Sequence, residues 1–232
     1  MHIRIRILFL VAGIICIVAY ILLHTPIIKP AALSGSTTED FPILILGDSL
    51  AAGVGASDSA HNFANQFLKD LQVTHPNATM HNLGVSGAMV DDVLTQQAPQ
   101  ANKTPAKLIL FIVGTNDILQ SSPVANFISS YQKLIDTVAA PGKIIVVLNV
   151  PHFSLTPIIP EGIRSLADRR TTQYNDNLVS LTARRADIRL VDFYTISGER
   201  LLSASNLISE DGFHPNDAGY ELMAKLVLSK LQ

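Results

Sequence analysis

Residues 42–50 read PILILGDSL. Five apolar residues run without polar alternation and stop at Gly47. Such a run suits a strand covered on both faces, as strands of a parallel sheet are. The same signature returns at 108–113 (LILFIV) and 144–150 (IIVVLNV). Weaker strand patterns lie at 79–83 and 188–191. Between them the spacing turns helical. Phe63, Phe67, Leu68 and Leu71 lie on one face of 61–72, and residues 89–94 begin another helix. Phe127, Tyr131, Leu134, Ile135 and Val138 lie on one face of 123–139. Residues 164–184 read as a helix, and a last one starts near Asp217. Strands alternating with helices predict an α/β domain with one parallel sheet clad on both faces. Ligands of such sheets bind outside the carboxyl ends of the strands. The residues just after each strand are therefore the ones to read for chemistry.

After the first strand comes Gly47-Asp48-Ser49-Leu50, where a glycine-permitted turn can expose a serine hydroxyl. Asp and Ser also form plain turns. Gly53 and Gly55 sit in GVGASD, which lacks the third glycine of a dinucleotide fingerprint, so that reading is rejected. The block Asn82-Leu83-Gly84-Val85-Ser86-Gly87 offers two glycines whose N–H groups could face a ligand. Asn116, in Gly114-Thr115-Asn116-Asp117, puts an amide donor at a strand end. Near the C-terminus, Asp211 and His214 stand three apart, a spacing that lets a carboxylate meet imidazole Nδ1–H and leaves Nε2 as a base. Each fragment alone is an ordinary turn or cap. Together they supply a nucleophile, a base, its orienter and oxyanion donors, the requirements of serine acyl transfer.

On these four blocks the sequence resembles the GDSL or SGNH hydrolases, from about Ile43 to the C-terminus. It looks most like the small bacterial envelope esterases, lysophospholipases and thioesterases. The resemblance implies a three-layer α/β/α, flavodoxin-like sandwich. It implies Ser49 as nucleophile, His214 as general base and Asp211 as the residue that orients it. The oxyanion donors would be the N–H of Ser49, the N–H of Gly87 and the side chain of Asn116, with Gly84 a competitor for Gly87. The implied reaction is cleavage of acyl esters, with lysophospholipids or thioesters among the candidates. The alternatives are an O-acetyl esterase acting on envelope polysaccharide or peptidoglycan, and a non-catalytic binding protein. A binding protein should have lost one of Ser49, Asn116, Asp211 or His214, and all four stand. No cofactor or metal is expected: His61, His75, His81 and His152 form no ligand pattern, and His75 and His81 read as surface loop residues. Pro151 to Ile163, with three prolines and several apolar residues, reads as a lid or acyl-binding wall.

The chain has 232 residues and a formal net charge of −2. No basic surplus exists for nucleic-acid binding. The single cysteine, Cys16, excludes an intramolecular disulfide framework. With no Trp there is no indole platform for a sugar. The first segment differs from the rest. Residues 7–23 (ILFLVAGIICIVAYILL) carry no charge, Pro or Asn, with Arg4 and Arg6 before them and Lys29 after. Their length favours an uncleaved membrane anchor over a cleaved signal. Residues 1–28 are thus an anchor or signal, 29–40 a tether and 41–232 the hydrolase domain. The N-terminus would be cytoplasmic and the domain in the cell envelope, or secreted if the signal is cleaved. Without Arg4, Arg6 and Lys29, the remaining chain has 14 basic against 19 acidic residues, a mildly acidic domain.

Overall fold

The structure, a computed structural model, describes residue 33 and residues 37–183, 185–202 and 204–231. Five strands form one parallel sheet: β1 (Phe41–Gly47), β2 (Ala78–Asn82), β3 (Leu108–Ile112), β4 (Ile144–Leu148) and β5 (Ile188–Val191). Their order is β2-β1-β3-β4-β5. The three continuous apolar runs take the inner positions β1, β3 and β4. The weaker patterns take the edges, where β2 alternates between covered and open residues.

Alternation of side chains sorts the inner strands into two cores. Ile43, Ile45, Leu110 and Val146 face one layer, with Phe63 and Phe67 of α2 (Phe63–Leu71) and Tyr220, Met223 and Val227 of α8 (Asp217–Ser229). Leu44, Leu46, Phe111 and Val147 face the other, with α3 (residues 90–101), Phe127 and Leu134 of α5 (Val124–Val138), and Tyr174 and Leu178 of α6 (Glu161–Thr182). Leu44, Ile45 and Leu110 are wholly enclosed, and each such burial contributes about 1.5–3 kcal/mol. The result is the expected three-layer sandwich in flavodoxin-like order.

Three short helices were not foreseen: α1 (Ser49–Ala52), α4 (Thr115–Leu119) and α7 (Phe193–Arg200). The first two are single turns, and α7 buries only Phe193, Ile196 and Ser197, too few to create a periodic signal. The apolar run 7–23 and its flanking Arg4, Arg6 and Lys29 lie outside the described residues. Among the described residues no helix is long and apolar enough to cross a membrane. Within the stretch read as a tether, Leu33 is buried and its N–H donates to Leu231 O at 2.8 Å, while Thr37 N–H donates to Thr74 O at 3.1 Å. Both partners lie at the pole where the strands begin.

Candidate active site

Chain order reverses between β1 and β3, and Gly47 pairs with Ile112, so the two strands end level. Ser49 and Asn116 thus emerge on either side of the crevice that forms at such a switch. Gly47 is there because the strands approach closely: a Cβ would stand 2.1 Å from Ile112 O. Gln97 holds this point from the α3 side. Its Oε1 accepts from Gly47 N–H and its Nε2 donates to Gly47 O, both at 2.9 Å. Nothing in the polar string QQAPQ (residues 96–100) marks Gln97 as buried, since glutamine in such a run ordinarily reads as solvated.

Asp48 caps α1, its Oδ1 accepting from Leu50 N–H at 3.0 Å. Ser49 is then the first residue of the helix, and its own N–H has no acceptor within the helix. Asp48 is 1% exposed, and burial pushes its carboxyl up to about 7. The Leu50 N–H opposes that rise, and the charge of Asp117 adds to it. Asp117 is pushed up to about 6 by burial, although Val90 N–H donates to it at 3.1 Å. Two buried acids therefore brace the turn that carries Ser49 and the start of α3.

His214 arrives from the loop before α8. Its Nε2 is 2.9 Å from Ser49 Oγ, and its Nδ1 is 2.6 Å from Asp211 Oδ2. The other oxygen of Asp211 accepts from Ser209 Oγ and the N–H groups of Phe213 and His214, at 2.8, 2.8 and 2.9 Å. Partial burial acts to raise the Asp211 carboxyl, but these donors outweigh it and hold it well below the usual carboxylate range. An ionised Asp211 requires Nδ1 to carry a proton, which leaves the Nε2 lone pair facing Oγ. The glycines set aside earlier serve this contact. Gly53, at φ +85°, closes α1, and a Cβ on Gly55 would meet Pro215 O at 2.5 Å and His214 Cβ at 2.9 Å.

The backbone separates the two candidate glycines. Gly84 N–H is committed to Asn82 Oδ1 at 2.9 Å, and a Cβ there would strike Ala52 N at 2.6 Å, so Gly84 is a packing glycine. Gly87 sits at φ +83° beside open space, and among the described residues nothing accepts from its N–H. Asn116 Nδ2 donates to Ala88 O at 3.0 Å, which fastens the amide beside Gly87 and leaves its second hydrogen for a ligand.

Beside Ser49 opens a narrow apolar pocket. Leu50, Phe153, Phe193, Leu201, Leu202 and Phe213 line it, with Thr115 and two prolines of the surrounding loops, Pro151 and Pro215. The proline-rich stretch after β4 thus contributes to the pocket through Pro151 and Phe153. Of the other histidines, His81 is on edge strand β2, but His75 is not at the surface: it is 3% exposed, 4.7 Å from the Phe41 ring and 2.9 Å from Thr74 Oγ1. Asp92 accepts from Met89 N–H at 2.9 Å in the first turn of α3. Among the described residues, no three His, Cys, Asp or Glu side chains converge as metal ligands.

The family model described as GDSL-like Lipase/Acylhydrolase matches residues 45–222. Solved structures with the same fold include a member of the lipolytic G-D-S-L family from Veillonella parvula, 20% identical, with a TM-score of 0.64 over 82% of this chain and 97% of that one. The psychrotrophic esterase EstA from Pseudoalteromonas sp. is 19% identical, with a TM-score of 0.65 over 82% and 96%. An acetylxylan esterase from Geobacillus stearothermophilus is 17% identical, with a TM-score of 0.65 over 85% and 95%. No curated protein matches the sequence.

Proposed function

Because the chain belongs to the GDSL-like lipase/acylhydrolase family and is an enzyme of the esterase/lipase type, we propose that it cleaves carboxylic esters through Ser49, His214 and Asp211. The observation that carries this reading is the unbroken relay from Ser49 Oγ through His214 to Asp211. His214 Nε2 takes the Oγ proton while Oγ attacks the ester carbonyl carbon. The tetrahedral oxyanion accepts from the N–H of Ser49, the N–H of Gly87 and Asn116 Nδ2. The imidazolium then protonates the leaving alcohol, the C–O bond breaks and an acyl-Ser49 remains. Water, deprotonated by the same Nε2, attacks that acyl group and returns the serine.

We assign the apolar pocket beside Ser49 to the acyl group, because Leu50, Phe153, Phe193, Leu201 and Leu202 give it an apolar lining next to the serine. The O-acetyl reading needs only the mouth of the same pocket, and one protein of this fold is an acetylxylan esterase. Kinetics of the purified full chain on acetyl, butyryl and octanoyl nitrophenyl esters, lysophospholipid, an acyl thioester and acetylated xylan separate these readings. We expect butyryl or octanoyl esters to be best. Activity confined to acetylated sugar would overturn the assignment, and unchanged hydrolysis by Ser49→Ala would overturn the mechanism.

We further propose that residues 7–23 hold the domain at a bilayer, with Arg4 and Arg6 on the cytoplasmic side and catalysis in the envelope. Leu33 joins the domain at the pole where the strands begin, and Ser49 lies at the other, about 20 Å away at 3.3 Å per strand residue. The mouth would then face away from that bilayer, toward esters arriving through water. Cysteines introduced on the domain surface should react with an impermeant thiol reagent once the outer barrier is opened. Protection until the inner membrane is lysed would overturn this topology.

A further inference from the structure

The residue between Pro151 and Phe153 does not line the pocket. The His152 ring stacks on Tyr194 at 4.3 Å and 17°, and its Nε2 is 2.8 Å from Asp168 Oδ1. Tyr194 OH donates to the same Asp168 oxygen. His152 N–H donates to Ser197 Oγ at 2.9 Å, and Ser197 is fully buried. The ring fills the space above Gly198, where a Cβ would come within 2.7 Å of Nδ1. One histidine thus joins the loop after β4 to α6 and α7.

Its position in the chain gives that joint a consequence. Pro151 and Phe153 flank His152, Phe193 precedes Tyr194, and all three flanking residues line the pocket beside Ser49. The clasp therefore ties one wall of the pocket to another. Asp168 Oδ1 engages Nε2, and the Tyr194 hydroxyl lies 3.4 Å from the same nitrogen, so both of these partners hold the ring in place. We infer that His152 is a specificity-determining positioning residue: its clasp on Tyr194 and Asp168 fixes the Pro151–Phe153 wall and so limits the length of acyl group the pocket admits. This rests on the assignment of that pocket to the acyl group.

The test uses the purified full chain with acetyl, butyryl and octanoyl nitrophenyl esters. His152→Ala should raise the octanoyl-to-acetyl ratio of kcat/KM by about tenfold, the scale on which a hydrophobic pocket discriminates chain length. The change should lie mainly in KM, with kcat on the acetyl ester within about threefold of wild type. Asp168→Asn and Tyr194→Phe should move the ratio the same way by smaller factors, and they carry the test should His152→Ala not fold. An unchanged or falling ratio in folded variants, or an equal loss on every ester, would overturn the inference. A wild type with no chain-length dependence would instead overturn the pocket assignment beneath it.

Discussion

Asp58-Ser59-Ala60-His61 and Asp211-Gly212-Phe213-His214 are two copies of one local device. In each, the aspartate accepts from the N–H two residues on and from the histidine N–H, and meets the histidine Nδ1, at 2.8 Å in one and 2.6 Å in the other. In each, the histidine ring helps hold the aspartate below its usual range. Their surroundings differ. His214 Nε2 meets Ser49 Oγ, whereas His61 is exposed, with Asp217 4.0 Å from its Nδ1. A carboxylate three residues before a histidine fixes a tautomer. It makes a catalytic base only where the other nitrogen meets a nucleophile.

The largest expected effect breaks the pair at its bases. His214→Ala should lower kcat/KM on the preferred ester by about 10⁵–10⁶, as loss of a triad base does elsewhere. His61→Ala should stay within about twofold. Comparable losses in steady-state assays would show the two sites to be equivalent. Replacing the orienters comes next. Asp211→Asn should cost about 10⁴ in kcat, because an amide no longer holds the required tautomer. Asp58→Asn should leave kcat unchanged. Removing an oxyanion donor is smaller: Asn116→Ala should lower kcat by about 10²–10³ with its unfolding transition little changed.

The smallest effect concerns stability and separates buried from exposed carboxyls. Asp48 has a folded pKa of about 7 against an ordinary 3.8, so the folded state binds its proton more tightly than the unfolded state. Its favourable contribution is complete below about pH 4 and fades as pH rises through about 7. Asp48→Asn should therefore flatten the loss of stability between about pH 5 and pH 8 by about 2–3 kcal/mol, read by urea unfolding. Asp58, shifted the other way and exposed, should leave that slope unaltered when changed to Asn. An unflattened slope in Asp48→Asn would show that the buried carboxyl does not titrate there.

Much of this was readable before folding was considered. The runs in β1, β3 and β4 are continuous because both faces are covered, and α5 shows its apolar stripe because it packs on one side only. The four blocks that carry the resemblance are visible because each sits in a short turn directly after a strand or before a helix. Gln97 and His152 were not visible. Each acts on a backbone or side chain far away in sequence, and each is a polar residue that ordinarily reads as solvated. His75 failed for the same reason, since its cover comes from Phe41 at the start of another strand.

By itself the sequence determined the alternation of strands and helices, the glycines at close approaches and the bond between each aspartate and its histidine three residues on. These depend on neighbours along the chain or on the burial of a whole element. Tertiary structure alone decided which histidine meets the Ser49 hydroxyl, which glycine offers a free N–H and which residues enclose the pocket beside Ser49. Those are questions of direction and distance between strands β1 and β3 and the loops above them. The reversal of strand order brings Ser49, Gly87, Asn116 and His214 to one edge, and local pattern carries no record of it.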